Sequence, residues 1–357
     1  MNNTERTNGQ QTPTLDDLNN EELDTLIPTV FYLSIISLSG MVGNSLVIHI
    51  YRTRFTFSNV QCFVLSMAAV DLFSCCVAIP LETVTVLDQY TFELGWLCKL
   101  ARFTNGVCTN SSTFLLIFIA IDRFRKIWKP FGWQIKAGVA KCLCVLAVVF
   151  ALIISWPAII IYGKDTFDIQ EFNLTGSDCG TNNDVKETPF PSLYTLALAI
   201  LFIAGVILLV ILYCMIGQKV RSHVHNLNKG LGRKQSQAYL QNQATARKTT
   251  FVMFLVTLAF ILSFLPHLIV RQFKSNFADD SSTGSKAVYR ILTRSYFLNC
   301  AVNPIIYSIF DTRFRRACKR KGSEHVSRTN DSSANLHMST YAKNETCLAS
   351  EIKPPGQ

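Results

Sequence analysis

Seven long, predominantly apolar blocks leave this chain few ways to fold. They run over about Pro28–Tyr51, Asn59–Leu87, Leu97–Lys126, Gly138–Tyr162, Phe190–Gly217, Thr249–Phe273 and Ala287–Phe310. At about 1.5 Å of rise per residue, a helix through any of them crosses a hydrocarbon layer of about 30 Å. A helix satisfies its own backbone in lipid, whereas a membrane barrel would show alternating segments of about 10 residues. The expected fold is therefore an all-α membrane protein, a seven-transmembrane helix bundle. Only 16% of the residues are charged, below the roughly 25% of soluble domains.

The net charge of +10 would suit a nucleic-acid partner if it were spread over one surface, but its placement follows the spans. Most basic residues fall in the Arg52–Arg54 turn, the 123–141 and 219–248 loops and the segment after Arg313. The positive-inside rule then puts the N-terminus outside and the tail in the cytoplasm, and no nucleic-acid partner is expected. Of the 12 cysteines, this topology leaves Cys98 and Cys179 on the oxidising side, and they are expected to pair.

Residues 1–27 are polar and acidic, without the basic-then-apolar plan of a cleavable signal peptide, so the first span is expected to direct insertion. This extracellular segment carries the glycosylation sequon at Asn2, and the long loop between the fourth and fifth spans carries a second at Asn173. Residues 28–310 form the membrane domain. Residues 311–321, with Phe314-Arg315-Arg316 and Cys318, predict a short amphipathic eighth helix on membrane lipids, with Cys318 placed for palmitoylation. Residues 322–357 are polar and expected to be disordered.

Within the spans, polar residues point to function, because each must find a partner in lipid. Gly43-Asn44 lies in the first span, Asp71 is the one acid deep in a span, and Pro80, Pro266 and Pro304 predict kinks. The third span opens at Cys98 and closes on Asp122-Arg123-Phe124, and the seventh holds Asn303-Pro304-Ile305-Ile306-Tyr307. In this order on separate segments, these motifs resemble the rhodopsin-like class of G-protein-coupled receptors over about Pro28–Lys321. The resemblance is greatest to receptors for neuropeptides and other peptides.

The resemblance implies an N-out receptor at the plasma membrane, not an enzyme, that couples an extracellular ligand to heterotrimeric G proteins. It implies that Arg123, held at rest by Asp122, engages the G protein, and that Tyr213 and Tyr307 swing inward on activation. Phe260, Phe264 and Pro266 would relay the signal, together with Asn303 and Pro304. Asp71, Ser112, Asn299 and Asn303 match the family's allosteric sodium pocket, and no other cofactor is expected. Arrestin would read phosphates on the tail. Several positions depart from the family pattern. Phe264 replaces a tryptophan, Gly205 a proline and Thr113 a bulky aliphatic, while Ala246 offers no acid to Arg123.

Glu82, Arg102, Asn105, His267, Arg271, Arg290 and Arg294 are expected around the ligand cavity. Asn105 stands where amine receptors carry their aspartate, which disfavours a monoamine. The mixed charge suits a peptide with a terminal carboxylate or acidic side chains, and a non-peptide anion, lipid or nucleotide, is the alternative. A transporter or channel would show an internal repeat or several intramembrane charges, and neither is present in the sequence.

Overall fold

The structure is a computed structural model that describes residues 13–130, 132–170, 172–228, 237–272 and 282–319, without side chains at 223–228, 237–243 and 271–272. Asn2, the side chain of Arg271 and the polar tail from residue 320 lie outside the described residues.

Six long helices correspond to the first six blocks: α1 (Leu15–Arg54), α2 (Asn59–Leu87), α3 (Gly95–Trp128), α4 (Ala137–Ile161), α5 (Phe190–Asn228) and α6 (Gln237–Gln272). Among the described residues, these six are long and apolar enough to cross a membrane. The seventh element, α7, comes in pieces: Thr283–Leu292, a 3-10 turn at Ser295–Phe297, and Leu298–Phe310. An eighth helix, α8, follows at 312–319. One end of the bundle is marked by Cys98 and the other by Arg123.

The apolar blocks fix the membrane lengths but understate the helices. α1 starts 13 residues before Pro28, because Thr14 and Asp17 form a reciprocal capping box that lets a polar, acidic segment continue the helix outward. This extension is held at two points. Asn19 accepts from the backbone N–H groups of Gln89 and Tyr90 and donates to Thr91. Glu22 pairs with Lys286 and Arg290 of α7, both at 2.7 Å.

At two of the three prolines the carbonyl left without its N–H partner accepts from a neighbouring helix. In α2 the chain makes a π-turn at Ser74–Ala78. Continuing it would use the missing N–H of Pro80 on the Cys75 carbonyl, and Ser37 of α1 donates to that oxygen instead, at 2.8 Å. Pro304 frees the carbonyl four residues back, at Cys300, which accepts from Asn44 Nδ2 at 2.8 Å. At Pro266 the carbonyl four residues back is that of Leu262, and the next one, of Ser263, accepts from Ser295 at 2.7 Å. The amide expected to need a partner and the break at Pro304 thus satisfy one another. Gly43 is required beside this junction, since a Cβ there would stand 2.8 Å from Pro304 Cβ.

At the Cys98 end, the loop after α4 folds into an antiparallel hairpin, β1 (Tyr162–Ile169) with β2 (Leu174–Thr181). The expected Cys98–Cys179 disulfide fastens it to α3. Ser177 fastens it again, exchanging backbone hydrogen bonds with Tyr90 and Phe92. The sequon residue Asn173 is exposed at the hairpin tip in the left-handed conformation, φ 51°, which asparagine tolerates.

Candidate functional site

Three polar centres are strung along α3. The first lies at the Cys98 end, around Glu82. This carboxylate is only 1% exposed, so Asp71 is not the one deeply buried acid, as the sequence suggested. Glu82 stands near the end of its block, yet helix packing and the hairpin close over it. Burying it is tolerable because it is surrounded by donors. Arg102 Nη1 approaches at 3.2 Å, Arg294 Nε at 3.0 Å and Asn105 Nδ2 at 3.0 Å. Arg102 also reaches the Cys179 carbonyl, tying the cluster to the hairpin.

Two arginines facing one carboxylate leave an excess positive charge. Glu22, with Lys286 and Arg290, repeats the arrangement beside it. The expected group therefore divides: Arg102, Asn105 and Arg294 gather on Glu82, while Arg290 belongs to Glu22. His267 joins neither, its ring bonding the Thr293 carbonyl and packing edge-on to Tyr296.

The second centre lies in mid-bundle. Asp71 is 1% exposed and accepts from Asn303 Nδ2 at 2.8 Å. A cavity of about 20 Å³, lined by Asp71, Ser112, Asn299, Phe260, Phe264 and Tyr296 among others, opens beside it. Among the described residues, Asp71 Oδ1, Asn299 Oδ1 and Asn303 Oδ1 are buried with no hydrogen-bond partner. Three orphaned acceptors, one of them anionic and two of them on residues lining the cavity, fit a hard cation held by oxygens. No cluster of three or more His, Cys, Asp or Glu side chains suited to a metal occurs among the described residues, so a cation here would rely on neutral oxygens and one carboxylate.

The third centre is at the Arg123 end. Arg123 is 3% exposed and ion-paired to Asp122, which is itself 1% exposed on its side chain. Asp122 also accepts from Asn59 Nδ2 of α2 at 2.8 Å and lies 3.2 Å from Lys126 Nζ. Tyr213 and Thr257 join α5 to α6 through hydroxyls 3.2 Å apart. Tyr307 is buried against Tyr51, whose hydroxyl donates to Asp311 at the start of α8.

This order of centres on seven helical spans matches one family of known proteins. The family described as 7 transmembrane receptor (rhodopsin family) matches residues 43–307. The chain belongs to that family. It is a multi-pass plasma-membrane receptor and not an enzyme. Over 294 residues the receptor is 29% identical to neuropeptide FF receptor 2 of Rattus norvegicus, covering 77% of this chain and 67% of that protein. Human galanin receptor type 1 is 25% identical over 319 residues, 86% of this chain and 87% of that protein. Trace amine-associated receptor 1 of Mus musculus is 28% identical over 299 residues, 80% and 86% respectively.

Between the first and second centres of this receptor runs a path that the sequence did not reveal. Asn105 Nδ2 lies 3.4 Å from the Tyr296 hydroxyl, and the Tyr296 ring packs on Phe264, centroids 5.6 Å apart. Phe264 packs in turn on Phe260 and Phe202, at 4.8 and 5.2 Å. Tyr296 thus joins the charged cluster to the aromatic relay. Its only signal in sequence is a tyrosine beside Phe297 in a span already rich in polar residues.

The altered positions fit together locally. A Cβ at Gly205 would meet Thr113 Cγ2 at 3.6 Å, an ordinary contact, so small residues on α3 and α5 face one another here. Asn59, Glu22, Thr257 and Arg313 were also missed, because each acts through a partner more than forty positions away in sequence.

Proposed function

We propose that this receptor has its N-terminus and hairpin outside the cell, binds an extracellular peptide and activates heterotrimeric G proteins. The observation that carries the reading is the excess positive charge at the Cys98 end, where two buried carboxylates are each shared by two cations. A ligand carboxylate, from a peptide terminus or an acidic side chain, adds a counter-charge that these clusters lack. Asn105, already donating to Glu82, offers no carboxylate to an ammonium group, which argues against a ligand like that named in the trace-amine relative. Neuropeptide FF and galanin, named in the other two relatives, are the better guide to ligand class. An anionic lipid or nucleotide would use the same charge. The helical extension of α1 and the hairpin supply an extended rim that suits a longer ligand.

The test is nucleotide exchange on G protein in membranes containing the receptor, challenged with peptides bearing acidic residues or a free carboxyl end. Activation by such peptides, lost when their carboxylates are amidated, is the expected result. Activation by an amine, or only by a non-peptide anion, would overturn the peptide reading.

In this reading Arg123 is the output. Ligand binding favours a state in which α6 pivots about Pro266 and Arg123 leaves Asp122 for the G protein, and the ligand shifts that equilibrium only by its differential affinity for the two states. Sodium at Asp71, Ser112, Asn299 and Asn303 favours the resting state. Sodium chloride is expected to raise the agonist Kd several-fold in the wild type and by less than about twofold in Asp71→Asn. Equal sodium sensitivity in the two, read by ligand binding against a choline control, would remove the ion from the scheme.

Ala246 leaves α6 without an acid for Arg123, and Arg313 supplies a different restraint. Its Nη2 donates to Thr249 of α6 at 3.0 Å, while its backbone N–H bonds Asp311 at the start of α8. Because the Arg313 side chain is 41% exposed, the contact is a weak one. Arg313→Ala is expected to raise ligand-independent nucleotide exchange roughly two- to fivefold, and unchanged basal exchange would show that α6 is held elsewhere. Cys318, partly exposed on α8, is the palmitoylation site in this reading. Arrestin reads the phosphorylated tail, whose loss on truncation of residues 322–357 would abolish its recruitment.

A further inference from the structure

The membrane-facing side of α1 and α2 carries a groove of about 330 Å³, lined by Ser45, Ile48, His49, Arg52, Thr53 and Leu72. Ser45, His49 and Arg52 recur at i, i+4 and i+7, so they form one exposed stripe along α1. A lipid-facing surface is expected to be apolar there, as it is at the neighbouring exposed residues Val42 and Leu46. The stripe ends beside Arg54, the last residue of α1 at the Arg123 end of the bundle.

We infer that this groove is a binding site for an anionic glycerophospholipid of the inner leaflet. The inference rests on the orientation proposed above, which places the Arg54 end of α1 at the cytoplasmic face. The chemistry along the groove follows the order of chemistry along a phospholipid. Arg52, nearest the helix end, stands at headgroup depth and supplies a fixed positive charge for a phosphate and an anionic headgroup. The His49 ring and Thr53, whose hydroxyl donates to the His49 carbonyl at 2.8 Å and keeps its acceptor lone pairs, flank that level. Ser45 lies about 10 Å deeper by helical rise, at the depth of ester carbonyls and the first acyl carbons. Ile48 and Leu72 supply apolar walls for the chain. Charge complementarity selects the anionic lipid, since the inner leaflet is where such lipids concentrate.

An arginine at a helix end can also snorkel to any phosphate, and that alternative requires nothing of Ser45 or His49. The two are separated by native mass spectrometry of the purified full-length receptor with phosphatidylserine or phosphatidylcholine. The wild type is expected to retain phosphatidylserine in preference to phosphatidylcholine. Arg52→Gln should lower its occupancy about fivefold, the effect of one juxtamembrane charge. Ser45→Leu combined with His49→Leu, which suits a lipid-facing helix and keeps Arg52, should lower it similarly. Arg221→Gln, an exposed base on α5 away from the groove, should leave it unchanged.

Four outcomes would overturn the assignment. One is equal retention of the two lipids. Another is loss in Arg52→Gln but not in the double leucine variant, which identifies simple snorkelling. The third is displacement by soluble glycerophosphoserine at equal concentration, which identifies a free-headgroup site. The fourth is a receptor dimer that the double leucine variant dissociates, which assigns the groove to a second copy of the chain. None of these readouts uses an agonist or a G protein, so the peptide reading can fail while the lipid site stands.

Discussion

An Arg123→Ala receptor is expected to reach the cell surface and bind agonist while agonist-driven nucleotide exchange falls at least about tenfold, the loss of a charge-assisted fork of hydrogen bonds. Survival of the fold follows from the surroundings of Asp122. Without Arg123, its carboxylate still accepts from Asn59 and lies beside Lys126, so no buried anion is stranded. Arg123→Lys should recover little, because an ammonium is a point charge and cannot present the planar fork. Radioligand binding and nucleotide exchange on the same membranes separate the two effects. Full signalling by Arg123→Ala would remove this residue from the output.

Glu82→Ala should act on stability instead. Its loss leaves the guanidinium groups of Arg102 and Arg294 facing one another without the carboxylate, with side chains only 28% and 16% exposed. Stranding buried charge costs about 3 kcal/mol, less where solvent reaches Arg102. The expected result is a large drop in surface receptor and in thermal stability. Adding Arg294→Met to Glu82→Ala should restore much of both, since one arginine near solvent is tolerable where two are not. If the double variant is no better than the single, mutual repulsion is not the cause and the loss lies in packing.

Arg123 and Glu82 differ in how strongly the sequence marks them. Arg123 was legible in sequence because an acid-base pair closing an apolar helix is a local pattern on a single segment, and the family resemblance supplied its role. The importance of Glu82 was not, because burial is a property of everything packed around a residue. In sequence it is an acid near the end of an apolar block, indistinguishable from one that reaches solvent. Asn44 falls between the two cases. That an amide in lipid needs a partner followed from chemistry alone, but that its partner is the carbonyl freed by Pro304, 256 positions away, required the packed helices.

Sequence was enough for the seven spans, the prolines that interrupt their hydrogen bonding, the Cys98–Cys179 pairing and the family to which the receptor belongs. Each follows from rules that act within one segment or between segment and solvent: hydropathy over a helix length, a missing N–H at proline, the redox state of a compartment. The packed helices decided which charges share a partner, that α1 extends beyond its apolar block to deliver Glu22, and that Tyr296 joins the charged cluster to Phe264. They also decided that, among the described residues, Asp71, Asn299 and Asn303 each keep a buried oxygen without a donor. The physical reason is that burial and hydrogen bonding inside a bundle depend on distances between helices. Spacing along the chain does not encode them until the helices pack.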